Sequence, residues 1–108
     1  MEQRSQKRII VAIPVHVRGK DAQGQMFDEN TEACDLSRRG LSFLTLQELA
    51  LYSSLSVVIP GRGPFRAGEG PTDFFAQAVV VSTRREEELN RVGIRFLGAT
   101  LPVYSSES

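Results

Sequence analysis

Two short clusters hold residue types from which an anion site can be built. Arg4-Ser5-Gln6-Lys7-Arg8 spaces two arginines R-x-x-x-R, and Asp35-Leu36-Ser37-Arg38-Arg39-Gly40 reads D-x-S-x-x-G. The first cluster offers planar guanidinium forks that meet oxyanions bidentately and stack on flat rings. The second offers an acceptor-only carboxylate, a small hydroxyl and a glycine. Arg4, Lys7, Arg8, Arg38 and Arg39 together place cations around both clusters, on a chain whose formal net charge is zero. The pattern is a local anion site on a neutral protein. Taken singly, each cluster has an ordinary explanation. A basic N-terminus is usually a solvated arm, and Asp, Ser and Gly in a turn usually cap backbone amides. Arg38 and Arg39 suit either anion contact or an exposed, charged turn.

The elements that must position these clusters read as strands. Ile9, Val11, Ile13, Val15 and Val17 alternate with more polar neighbours, so they share one face of an extended segment and would face a core. Pro14, with no backbone donor, belongs on an edge, at a bulge or at a barrel seam. Gly19 to Gly24 is a turn, and a more polar strand follows from about Gln25 to Leu36. Gly40 opens a short strand through Leu44. Thr45 and Glu48 match a capping box that predicts one or two helical turns over Leu46 to Leu51. Leu55 to Ile59 is the next apolar run, stopped by Pro60-Gly61, and the glycine-rich stretch Gly61 to Gly70 is expected to be a loop. Phe74 to Ser82 is a strand in which Phe75, Val79 and Val81 share a face with Gln77. Arg84 to Glu88 is expected to form a charged hairpin tip, with Val92, Ile94 and Phe96 inward on the return strand Asn90 to Leu97. About six short antiparallel strands at near-regular spacing predict an all-β fold, a small barrel carrying one short helix.

Composition bounds the rest. The 108 residues make one domain, with 41% apolar and 24% charged residues, ordinary for a globular protein. Zero net charge supplies no global field toward nucleic acid or an anionic membrane. The single cysteine, Cys34, allows neither an intrachain disulfide nor a cysteine metal cluster and is expected to be a small, buried or half-buried strand residue. The apolar run before Pro14 is too short to span a bilayer, so no transmembrane segment is expected and the chain is read as cytoplasmic. His16 reads as a solvated strand residue. Gly61-Arg62-Gly63-Pro64 lacks the Lys-Ser/Thr ending and following helix of a phosphate loop. No catalytic constellation stands out, so the chain is read as a non-enzyme.

In this order and at this separation, followed by Val92-Gly93-Ile94-Arg95-Phe96-Leu97, the two motifs resemble the PilZ domain, the bacterial receptor module for cyclic di-GMP. The resemblance implies a PilZ-like barrel over residues 9–104 and a ligand-binding role for the N-terminal arm over 1–8, which its position before the first strand leads one to expect flexible, and the terminal residues 105–108 are expected to fray. It implies that Arg4, Arg8, Asp35, Ser37 and Gly40 bind cyclic di-GMP, with Lys7, Arg38 and Arg39 as auxiliary phosphate contacts. No further cofactor and no metal is implied. The chemistry suits the ligand. Arginine can fork onto O6 and N7 of guanine or onto phosphate, and a carboxylate can accept from guanine N1–H and the 2-amino group. Ser37 can donate to phosphate or cap the turn, and Gly40 serves either a positive φ or a close backbone approach. A protein partner is expected downstream. Two other readings compete: a small nucleic-acid-binding barrel, disfavoured by the zero net charge, and a PilZ-like interaction module that has lost the nucleotide.

Overall fold

The computed structural model describes residues 12–101. Regular structure among them is all strand: β1 Ile13–Lys20, β2 Met26–Leu36, β3 Gly40–Thr45, β4 Ser54–Ile59, β5 Phe65–Arg66, β6 Gly70–Pro71, β7 Phe74–Glu86 and β8 Leu89–Leu97. Six strands close a barrel in the order β1-β2-β3-β8-β7-β4, and β5 pairs with β6 as a separate hairpin. Each pairing is antiparallel. The barrel closes through β1 and β4, whose pairing runs from His16 to Gly19 on the β1 side. Pro14 lies beyond that stretch, opposite Glu32 of β2. It therefore sits at the seam, where its missing donor breaks no β4 ladder bond.

Period-two alternation builds the core. Val15 and Val17 of β1, Leu41 and Phe43 of β3, Leu55, Val57 and Ile59 of β4, and Val92, Ile94 and Phe96 of β8 are all buried. On β7 the inward set is Phe74, Ala76, Ala78 and Val80. The face shared by Phe75, Gln77, Val79 and Val81 is the outer one. Phe74 and Phe96 pack ring against ring, with centroids 5.0 Å apart. Ala78 of β7 stands opposite Phe96 of β8, a small side chain beside a large one, the alternation that fills a narrow barrel.

Three sequence expectations are corrected. No helix occurs over Leu46 to Leu51; residues 46–47 bend, 48–50 are irregular and 51–52 turn. The Thr45 hydroxyl accepts from Gln47 N–H at 3.0 Å and donates to Glu29 of β2 at 2.6 Å. It thus closes a turn two residues on instead of capping the third amide. Tyr52 N–H then donates to the carbonyl of Val80, with Tyr52 in the left-handed region at φ 70°. So short a segment, tied at both ends, gives up a costly helical nucleus for fixed tertiary bonds. The charged stretch is not all tip, because β7 runs on to Glu86 and β8 resumes at Leu89. Arg84 and Arg91 both pair with Glu86 there and carry the ladder outward. Within Gly61 to Gly70, Phe65–Arg66 pairs with Gly70–Pro71 around a turn that uses Gly68 at φ +83°.

Two β-bulges interrupt the regular registers. Between β2 and β3 the partners pass from Ala33↔Phe43 to Asp35↔Ser42, leaving Cys34 as the extra residue. Between β7 and β8 they pass from Val80↔Ile94 to Ser82↔Gly93, leaving Val81 extra. In an unbroken strand Asp35 would follow Ala33 into the core, and Ser82 would follow Val80. Each bulge reverses the alternation and turns a polar side chain outward.

The turn after β3 yields a direct test. Thr45→Val leaves Gln47 N–H and the Glu29 carboxylate without the hydroxyl and should destabilise by about 1–2 kcal/mol. Glu48→Ala, which would unmake a capping box, should change stability by less than about 0.5 kcal/mol. Denaturant unfolding of both variants measures the contrast, and equal losses would favour the helix.

Candidate functional site

The second motif forms the turn from β2 into β3. Ser37 N–H donates to the Gly40 carbonyl at 2.8 Å. The Ser37 hydroxyl donates to that carbonyl at 3.3 Å and accepts from Arg39 N–H at 3.2 Å. Of the two roles open to Ser37, it fills the turn cap. The next carbonyls are also engaged: that of Arg38 accepts from Leu101 N–H at 2.8 Å and that of Arg39 from Phe96 N–H at 2.7 Å. The turn backbone is thus clamped to β8 and the segment after it, while the Arg38 and Arg39 side chains stand exposed.

Gly40 resolves its own alternative. It does not take a positive φ. Opposite Arg95 on β8, it lies so close that a Cβ would fall well inside van der Waals contact of the Ile94 carbonyl oxygen. Glycine is required here by close approach.

Asp35 projects from the outer face beside this turn. Its Oδ2 accepts from the Ser42 hydroxyl at 2.9 Å and from Arg91 Nη2 at 3.2 Å. A carboxylate has about four lone-pair positions. Both donors fall on Oδ2, so Oδ1 is left without a partner among the described residues. An ion pair this exposed adds little stability, but two donors on one oxygen fix the plane of the carboxylate.

Across the barrel wall, Asp35, Ser42, Gly93 and Ser82 lie side by side on β2, β3, β8 and β7. Gly93 contributes no side chain to this row, and the Ser82 hydroxyl lies over it. A dent of about 310 Å³ opens there, lined by Asp35, Ser37, Arg39 and Gly40 from the turn and by Val81, Gly93 and Arg95 from β7 and β8. Asp35 also borders a larger open groove on its other flank, toward Pro14, Cys34 and Arg62. Ser37 and Gly40 line only the dent, so the dent is where the second motif converges.

Arg39 and Arg95 both line the dent, and neither guanidinium has a hydrogen bond or ion pair among the described residues. Arg38 does not line it. Arg4, Lys7 and Arg8 lie outside the described residues. Ser42, Val81, Arg91, Gly93 and Arg95 were not singled out as site residues from the sequence. The signal was present, because Arg91, Gly93 and Arg95 alternate with the inward Val92, Ile94 and Phe96.

Other chemistry is elsewhere. Strand pairing brings the half-buried His16 to Asp28, which also lies 3.8 Å from Arg18, a polar cluster on β1 and β2. Among the described residues no group of His, Cys, Asp and Glu is arranged to hold a metal ion, and no helix is long and apolar enough to cross a membrane.

A closed small barrel with a preset polar turn and a cationic dent on its wall has the form of a binding module. The family model of the PilZ domain matches residues 2–105, and the chain belongs to that family of cyclic di-GMP receptor domains, which are binding modules rather than enzymes. No curated protein and no solved structure matches the chain significantly.

The two glycines predict opposite outcomes. Gly40→Ala must push backbone from backbone and should cost about 3 kcal/mol, lowering the thermal midpoint by roughly 10–20 °C. At Gly93 the added Cβ would meet only the Ser82 hydroxyl, at 2.5 Å. That side chain is exposed and can rotate, so Gly93→Ala should cost less than about 1 kcal/mol. Thermal unfolding followed by circular dichroism reads both.

Proposed function

We propose that this chain is a cyclic di-GMP receptor that holds the nucleotide against the dent beside the Ser37–Gly40 turn. The observation that carries the reading is the convergence of the Asp35 carboxylate, the clamped D-x-S-x-x-G turn and the unpaired Arg39 guanidinium on one small outer surface, in a member of the PilZ family. In this reading Asp35 accepts from the guanine N1–H and 2-amino group, and Arg39 meets phosphate. Arg4 and Arg8 clasp the ligand from the other side, with Lys7 and Arg38 adding charge. In an extended segment Arg4 and Arg8 stand about 13 Å apart, and a curled one brings them closer.

The ligand then orders the N-terminal arm across the barrel surface and alters what a protein partner meets. Ordering five residues costs on the order of 5–10 kcal/mol of backbone entropy. Base stacking at roughly 1–3 kcal/mol per base, together with charge-assisted hydrogen bonds, offsets it. NMR relaxation of the Arg4–Arg8 amides is expected to show motion quenched at saturating ligand. Equal mobility in both states would remove the arm from the mechanism.

Calorimetric titration of the whole chain with cyclic di-GMP is expected to show saturable binding, with a stoichiometry that separates one ligand from a stacked pair. Arg4→Ala/Arg8→Ala should abolish it, and Asp35→Ala should weaken it by about 1–3 kcal/mol. GMP, cyclic di-AMP and single-stranded oligonucleotides should compete poorly. No binding as the ligand approaches millimolar, about −4 kcal/mol, would overturn the receptor reading. Preferential binding of the oligonucleotides would replace it with the nucleic-acid reading.

A further inference from the structure

We infer that Arg95 is a further nucleotide-contacting residue, whose guanidinium fork takes the O6/N7 edge of the guanine whose opposite edge Asp35 reads. The inference rests on the receptor reading above and extends it to a strand that neither sequence motif includes.

The argument begins with two arginines on one strand. Arg91 and Arg95 both lie on β8, on the face opposite the buried Val92, Ile94 and Phe96. Arg91 is half-buried and already matched, by Asp35 at 3.2 Å and Glu86 at 3.8 Å. Arg95 is exposed, lines the dent, and has no hydrogen bond or ion pair among the described residues. Its cross-strand neighbours are Gly40 and Val79, so no carboxylate stands opposite it on either side. Gly40 has no side chain to cover it. The fold has neutralised one cation of the pair and left the other at the rim of a cavity.

The spacing selects the role. Asp35 stands opposite Ser42, Ser42 opposite Gly93, and Arg95 two residues beyond Gly93. Two strand spacings across and two residues along place the Cα atoms of Asp35 and Arg95 roughly 12 Å apart. A short acidic and a long basic side chain can reach toward each other over that span and leave room for a purine between them. The two ends are chemically complementary. A carboxylate only accepts and suits N1–H and the 2-amino group, while a guanidinium only donates and suits O6 and N7. Gly93 adds no side chain to the floor between them, where the small Ser82 hydroxyl lies, and Val81, turned out at its bulge, offers apolar surface beside it. Adenine would present an amino group where the Arg95 fork needs an acceptor.

Titration calorimetry on the full chain with cyclic di-GMP and cyclic di-AMP tests this, using wild type, Arg95→Ala and Arg95→Lys, with thermal midpoints as a folding control. Arg95→Ala is expected to weaken cyclic di-GMP binding about 5- to 150-fold and to narrow the preference over cyclic di-AMP, with an unchanged midpoint. Arg95→Lys keeps the charge without the fork and should not restore either property. Wild-type affinity in Arg95→Ala would overturn the inference, and full rescue by Arg95→Lys would overturn the fork by reducing the residue to a point charge. Should wild type itself bind neither nucleotide, the receptor reading fails; binding by wild type with an indifferent Arg95→Ala discards the present inference alone.

Discussion

A strand repeats its side-chain direction every two residues, and the candidate face exists because β2 and β7 each break that repeat once. Cys34 and Val81 are the extra residues. Without them Asp35 and Ser82 would point into a barrel filled by Phe43, Val80 and Val92, where an unpaired carboxylate is intolerable. The bulges flank the β3–β8 pair at the same level, Ser42 opposite Gly93. They therefore turn out a polar row at the place where Gly93 thins the wall. Arg39, Arg95 and the Asp35 carboxylate meet there because two ladders slip by one residue.

The electrostatics of the face depend on the same slip. Once outward, Asp35 meets Ser42 and Arg91, which hold Oδ2 and leave Oδ1 without a partner among the described residues. Arg91 is drawn toward Asp35 and Glu86 and contributes little free positive field. Arg39 and Arg95 keep theirs. A chain of zero net charge thus presents a local donor surface without the long-range field that would attract polyanions indiscriminately. That separation of local from global charge agrees with the receptor reading proposed above better than with the nucleic-acid one.

Much of the fold was legible because it follows from alternation. Ile13, Val15 and Val17, then Val92, Ile94 and Phe96, declare their inward faces by spacing, and Pro14 marks an edge, a bulge or a seam, of which the barrel takes the seam. Thr45 misled for a physical reason. The same hydroxyl can cap a helix or close a turn, and the choice was made by Glu29, sixteen residues away in sequence and reachable only after β2 and β3 pair. The charged run from Arg84 resembled a tip because local composition does not reveal that Glu86 is shared between Arg84 and Arg91. The motif residues Asp35, Ser37 and Gly40 were legible as types. That Asp35 points outward was not, since period two carried past Ala33 points it inward, and a bulge leaves no signature at Cys34. Gly40 was legible as a necessity but not as to its cause, because Ile94 comes near only through the barrel.

The turn itself is held in place by the barrel. Ser37 caps it, the Arg38 and Arg39 carbonyls are held by Leu101 and Phe96, and Gly40 lies against Ile94. Its backbone is therefore fixed before any ligand arrives, so the ordering entropy that weakens association through mobile loops is already spent in folding. What remains adjustable is the long arginine side chains, with rotamer costs of about 0.5–1.5 kcal/mol each. In the proposed receptor, a backbone held by the barrel would set the geometry and the exposed, unpaired arginine side chains would supply the reach. This arrangement also confines the damage of mutation: a change at Gly40 acts on the barrel, whereas a change at Arg39 or Arg95 acts on the surface alone.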